Sequence, residues 1–224
     1  MQLEKITTPR KSDEKKRFDD ACGLAHAMEL LGERWAMLVL RELAYGPRRF
    51  SELKADLLGI SANVLTQRLT ELESRGLVRK SKLPPPASVQ VYEATEWGLE
   101  AIPVIASLGR WAARSPLHNP ELRMSHVSVI MSLQTLISPE RAKGLDKRIG
   151  FRFGDVNYVT RLRDGRLEVE RRDADNCDVT FTGAPSAVAA VIHGGAPFET
   201  IAIEGGMALA RRFVTLFPLP SKVG

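Results

Sequence analysis

Two glycines, Gly59 and Gly76, bracket a segment whose apolar residues can all face one way. At about 100° per residue, Ala62, Leu65, Leu69 and Leu72 fall on one side of a helix, and Ser61 stands where an N-cap belongs. The opposite side carries Asn63, Gln67, Thr70 and Ser74 in place of the Glu/Lys mixture of an ordinary solvated helix. Before it, Ser51 can cap a short helix over 52–57 or 52–58. A short helix, a turn with glycine and a longer helix form the helix-turn-helix pattern. Residues 77–82 and 89–92 read as strands, and the connection 83–88 holds three prolines, which cannot donate ladder hydrogen bonds. A helix pair followed by a basic hairpin is a winged helix.

The flanking chain fits this reading. Apolar spacing predicts helices over 21–31 and from Trp35 to Leu43, the second ended by Tyr45-Gly46-Pro47. Thr95 caps a helix running to about 114, with Pro103 expected to kink it. A linker by composition follows at 115–120. Beyond it the texture changes. A helix is expected over 124–137, and Ser138-Pro139 reads as the start of another. Strand-like runs follow at 148–153, 157–162, 166–170 and 178–182, with Asp164-Gly165 as a hairpin signal. Ser186 caps a helix to 192, residues 201–203 form a strand, and 207–217 form a last helix. The expected fold class is α+β: a charged arm (1–20), a winged helix-turn-helix domain (21–115), a linker (116–123) and an α+β domain with a small twisted sheet (124–220).

The chain has 224 residues and a formal charge of +5. Between Arg34 and Lys82 ten Lys/Arg stand against five Asp/Glu, so the whole excess sits in the winged-helix segment. That placement suits a polyanion. Two distant cysteines do not make a disulfide framework, and a reducing cytoplasm is the natural setting. No apolar run approaches a membrane span of roughly 18 residues, so no membrane partner is expected. His26, His118, His126 and His193 are scattered without metal-ligand spacing, and no nucleophile elbow or phosphate loop is present. Neither catalysis nor a cofactor is expected.

Amides can read adenine in the major groove, Arg can read guanine, and Val or Thr can touch a thymine methyl. The residues nearest the helix start go deepest, which selects Ser61, Asn63, Val64, Thr66, Gln67 and Arg68 as the base-reading set for double-stranded DNA. Arg48, Arg49, Arg79, Lys80 and Lys82 suit phosphates, which position without reading sequence. Trp97, Ile105, Leu108 and Trp111 exceed what a small winged helix can cover. Burial in a homodimer with Leu24 of the first helix is expected, against the alternative that the second domain covers them. Asp173, Asp175 and Asp178 are expected in a solvated turn. Phe151, Phe153, Tyr158, Phe181, Ile192 and Phe213 are candidates to line an apolar ligand pocket, or equally an ordinary core.

Residues 22–114 resemble the HxlR-type transcriptional regulators, a winged-helix group related to the MarR family. The resemblance is carried by Cys22, Leu31-Gly32-Glu33-Arg34-Trp35, Leu40-Arg41-Glu42-Leu43, Gly46-Pro47-Arg48-Arg49-Phe50-Ser51-Glu52-Leu53, Gly59-Ile60-Ser61, Leu65-Thr66-Gln67-Arg68-Leu69, Gly76-Leu77-Val78, Tyr92, Thr95 and Gly98. It implies a homodimer on a near-palindromic operator, mostly acting as a repressor. Some relatives sense oxidants with a cysteine at the position of Cys22. Gly23 in place of the usual proline favours the competing reading of a small core residue. Residues 124–217 resemble the sterol carrier protein type two fold, through Phe151-Arg152-Phe153, Cys177-Asp178-Val179-Thr180-Phe181 and Gly205-Gly206. That resemblance implies a hydrophobic-ligand or interaction domain, which would take an apolar small-molecule effector or support the dimer. The alternative function is a lipid carrier or dormant enzyme domain fused to a protein-binding winged helix.

Overall fold

A computed structural model describes residues 18–224. The charged arm expected over 1–20 therefore falls almost wholly outside the described residues. Helices α1 (Gly23–Leu31), α2 (Ala36–Glu42), α3 (Phe50–Asp56) and α4 (Ala62–Ser74) lead into the hairpin β1 (Val78–Lys82) and β2 (Gln90–Ala94). The hairpin is antiparallel, with Val78 opposite Ala94 and Lys82 opposite Gln90. An isolated antiparallel bridge joins Arg48 to Tyr92, each residue's N–H donating to the other's carbonyl at 2.8 Å. Helices α5 (Glu96–Glu100) and α6 (Ile102–Ala112) close this part. Val39, Leu40, Leu53, Leu65, Leu69 and Leu72 are buried together between α2, α3 and α4. The leucine stripe of α4 is thus its hold on the core.

Two local expectations are corrected here. Residues 95–114 form two helices rather than one kinked helix. Ala101 ends α5 and begins α6, and Pro103 sits in the first turn of α6. A proline there lacks an N–H that would have no partner in any case, so it starts a helix instead of bending one. Helix α3 begins at Phe50, with Arg49 as N-cap, and the Glu52 carboxylate accepts the Arg49 N–H at 2.9 Å. Ser51 therefore lies inside the helix and does not cap it.

The second part runs α7 (His126–Leu136), β3 (Lys147–Phe153), β4 (Val156–Arg163), β5 (Arg166–Glu170), β6 (Val179–Thr182), α8 (Pro185–Gly194), β7 (Ala202–Gly205) and α9 (Met207–Val214). The sheet order is β5-β4-β3-β6-β7, with β3 and β6 parallel and the other neighbours antiparallel. Asp164 and Gly165 both take positive φ, the conformation a two-residue hairpin turn requires. Residues 139–144 form turns and not the expected short helix. Helix α8 starts at Pro185, and Ser186 has a different task from the expected cap: its hydroxyl accepts the Met124 N–H at 3.0 Å.

The aromatic residues expected to line a pocket fill one another's space. Ring centroids lie 5.6 Å apart for Phe151–Phe181 and Phe181–Phe213, and 4.8 Å apart for Phe213–Phe217. Phe151, Phe153, Tyr158, Phe181, Ile192 and Phe213 are all buried in one packed core with Val129, Ile130 and Leu133 of α7. Of the two readings that the sequence left open for them, the packing is that of a core.

Gly98 marks where α5 meets the wing. A Cβ there would lie 2.1 Å from the Leu77 carbonyl oxygen, which is itself bonded to the Thr95 N–H at 3.0 Å. Gly98→Ala should therefore lower stability by roughly 1–3 kcal/mol, the usual cost of overpacking. A shift of the urea midpoint to lower concentration at pH 7 checks this, and an unchanged midpoint would contradict the close approach.

Candidate nucleic-acid interface

Helix α4 is fixed at its start by Ser61, whose hydroxyl accepts the Val64 N–H at 3.2 Å. Gly59, at φ +84, turns the chain into it, and the Trp35 indole lies against that glycine. With Leu65, Leu69 and Leu72 locked inward, Ser61, Asn63, Thr66, Gln67 and Thr70 are exposed and Val64 is half-buried. The Gln67 amide donates to Glu71 at 3.0 Å.

Arg68 departs from the expected base-reading set. It is 6% exposed, and its guanidinium is held by Glu71 one turn on and by Glu33 at 3.4 Å. Its stem shares the inward edge of the helix with Leu65 and Leu69. Arg68 therefore anchors α4 to the turn between α1 and α2 and does not project toward a ligand. Arg34, which the sequence reading did not single out, lies exposed on that same turn, 5.5 Å above the Trp35 ring. With Val64 and Gln67 it borders a concavity of about 390 Å³ beside the exposed face of α4.

The expected phosphate contacts divide in the same way. Arg49, Arg79, Lys80 and Lys82 are exposed. Arg79 pairs with Glu93 at 3.0 Å, and Lys80 with Glu73 at 3.3 Å. Arg48 is corrected, for it is 3% exposed. Its guanidinium lies 2.6 Å from Asp56, 3.2 Å from Glu52 and 3.7 Å from Glu42. Three carboxylates hold it inside the fold.

Residues 30–118 match the family described as HxlR-like helix-turn-helix. Three relatives from Bacillus subtilis align over much of their own length. YvaP, an uncharacterized HTH-type transcriptional regulator, is 35% identical over 86 residues, covering 38% of this chain and 80% of the relative. YkvN, also uncharacterized, is 40% identical over 97 residues, covering 43% and 80%. The HTH-type transcriptional regulator YodB is 36% identical over 86 residues, covering 38% and 77%. The chain belongs to the HxlR-like helix-turn-helix family. As a member it is a DNA-binding transcriptional regulator, and the matched segment contains the whole of α2 through α6.

The apolar residues assigned to a subunit contact in this HxlR-like chain are mostly uncovered. Leu24 and Trp111 are each 70% exposed, and Trp97 and Leu108 are also exposed. The second core does not cover them. Ile105 is different: it is half-buried and packs on the winged-helix core. Cys22 is not a core residue. It is exposed at the N-cap of α1, where the N–H groups of Leu24 and Ala25 lower its thiol pKa. Cys177 is half-buried just before β6, and burial pushes its thiol up. Asp173, Asp175 and Asp178 do not converge on one point: Asp178 pairs with Lys147 at 3.0 Å, while Asp173 accepts from Asn157 at 3.3 Å.

Sequence reasoning also missed the cluster around Arg48, because its members are scattered along the chain. Asp56 shows its strength. Burial pushes this carboxyl up, but hydrogen bonds and charge from His126 and Arg48 outweigh it and hold the pKa at about 2. A depressed carboxylate stabilises the fold above its unfolded pKa, and the contribution fades as pH falls through the folded value. The HxlR-like chain should therefore lose roughly 2 kcal/mol from this group between about pH 4 and pH 2. Urea midpoints of wild type and Asp56→Asn, taken over that range, should converge as the pH falls. Parallel curves would count against the assignment.

Proposed function

We propose that this chain is a homodimer that reads a near-palindromic double-stranded site and acts as a repressor. The observation that carries the reading is the division of α4. One side is locked into the core by Leu65, Leu69 and Leu72, and the other presents Asn63, Thr66, Gln67 and Thr70 from a helix capped by Ser61. Asn63 and Gln67 are the amides that suit adenine, with Thr66 and Val64 available to thymine methyls. Arg49, Arg79, Lys80 and Lys82 flank this face and suit phosphates. Two such helices, one per subunit, enter successive major grooves about 34–36 Å apart.

The dimer reading is supported by the uncovered apolar faces of α1 and α6, where Leu24, Val104, Leu108 and Trp111 are exposed. The five-stranded sheet packed on α7, α8 and α9 is in keeping with the sterol-carrier resemblance. An apolar effector would have to open the ring stack of Phe151, Phe181 and Phe213. The second domain therefore enters this proposal as a structural part of the regulator.

Asn63→Ala with Gln67→Ala should weaken binding to a duplex selected by the wild-type chain by at least about tenfold, since a bidentate base contact discriminates by roughly 1–3 kcal/mol. Binding to shuffled sequence should hardly change. Equal loss on both duplexes, read by fluorescence anisotropy, would remove α4 as the reader. Trp111→Glu should shift sedimentation from dimer to monomer, and a dimer that persists would place the contact elsewhere.

A further inference from the structure

The junction between the two cores holds more ionic chemistry than a passive contact needs. Glu42 of α2 is 1% exposed. It accepts from Arg41 at 2.6 Å and from the Ser125 hydroxyl at 2.8 Å, and lies 3.7 Å from Arg48. Asp56 closes α3 and pairs with Arg48 at 2.6 Å. From the other side, His126 of α7 places Nε2 3.3 Å from Asp56, while its Nδ1 lies 2.7 Å from the Tyr158 hydroxyl. Burial holds Tyr158 protonated well past the ordinary tyrosine range. That hydroxyl can donate to Nδ1, which leaves the ring proton on Nε2, facing Asp56.

Charge shows what the second domain adds. Glu42, Glu52 and Asp56 meet Arg41 and Arg48 from their own domain, three anions against two cations. Ser125, the N-cap, brings a further donor to Glu42, and His126, the first residue of the eleven-residue helix, sets a ring nitrogen beside Asp56, at the helix end whose dipole favours anions. Arg123 adds a cation 3.9 Å from Asp56. Around the cluster, the Tyr45 hydroxyl donates to Gln134 at 2.5 Å, and Arg171 donates to the Pro47 carbonyl at 3.1 Å.

These contacts fall at sensitive places. Arg48 precedes α3 and is bridged to the wing, and Asp56 is the last residue of α3 before the turn into α4. Fixing both ends of α3 fixes the angle between α4 and the wing. We propose that Ser125 and His126 are positioning residues for the DNA-reading elements, so that the reading head is complete only with the C-terminal domain seated. This deepens the DNA-binding reading and rests on it.

The test uses the full chain and the tightest duplex that the wild type recovers from a random-sequence pool, with a shuffled duplex as control. Ser125→Ala with His126→Ala should lose roughly tenfold on the selected duplex, within the usual range of intersite coupling, and less than twofold on the shuffled one. His126→Gln, which keeps a donor near Nε2, should recover part of the loss. Calorimetry should show one unfolding transition in wild type and two in the double variant. A folded double variant with wild-type affinity and a single transition overturns the proposal.

Should the double variant not fold, hydrogen exchange on the wild type decides. Amides of α3 and α7 should open with one common free energy, and separate openings overturn the coupling. A wild type that recovers no duplex would instead defeat the DNA reading, and the exchange measurement would still judge the brace.

Discussion

Arg48 is the knot on which the winged helix depends. Its backbone bonds to Tyr92 extend the wing, while its side chain reaches Glu42 at the end of α2 and Glu52 and Asp56 on α3. Removing a guanidinium from water costs several kcal/mol, and the cost is offset only where carboxylates converge with good geometry. Lysine would not serve, because one ammonium cannot present a fork of donors to three carboxylates. The cluster specifies an arrangement of wing, α2 and α3 that leucine packing alone would leave freer to slide. It also explains why an arginine inside a basic segment is absent from the surface that segment presents.

Arg68 repeats this logic on α4. A helix that must present uncharged amides to a ligand still has to resist rotation about its own axis. The leucine stripe sets which side faces inward, and the Glu33–Arg68–Glu71 contacts set the rotation by tying one edge of the helix to the α1–α2 turn. The face proposed to read bases is then Asn63, Thr66, Gln67 and Thr70, with Val64 at its edge. Gln67 is itself engaged by Glu71, so a base edge would have to displace that carboxylate. Such an exchange would sharpen discrimination, because a partner that cannot satisfy the amide does not repay the hydrogen bond given up.

What was legible in the sequence was local. The Ser61 and Thr95 caps, the leucine stripe, the glycine turns and the Asp164-Gly165 hairpin each depend on neighbours within a few residues, and the structure has all of them. The winged helix followed from their order. What was not legible was long-range. Arg48 and Arg68 read as surface cations because burial of a charge depends on carboxylates brought in by other elements. Pro103 read as a kink because nothing in the local sequence marks the break at Ala101 that puts the proline in the first turn of α6. His126 read as a stray histidine, since its partners Asp56 and Tyr158 lie 70 and 32 residues away in the chain.

Helix α6 joins these features into one mechanical unit. Ile105 turns into the winged-helix core, Arg110 donates to the Thr135 carbonyl of α7 at 2.8 Å, and Lys222 caps the end of the helix at the carbonyls of Ala113 and Ser115. Trp111, Leu108 and Val104 remain outward. A subunit contact built on that outward face would therefore carry both domains with little freedom between them. The separation of two α4 helices would then be set by the dimer axis, the brace at His126 and the Arg48 cluster acting in series. Looseness in any one link would spread the half-site spacing, and a protein that reads two grooves at once tolerates little spread.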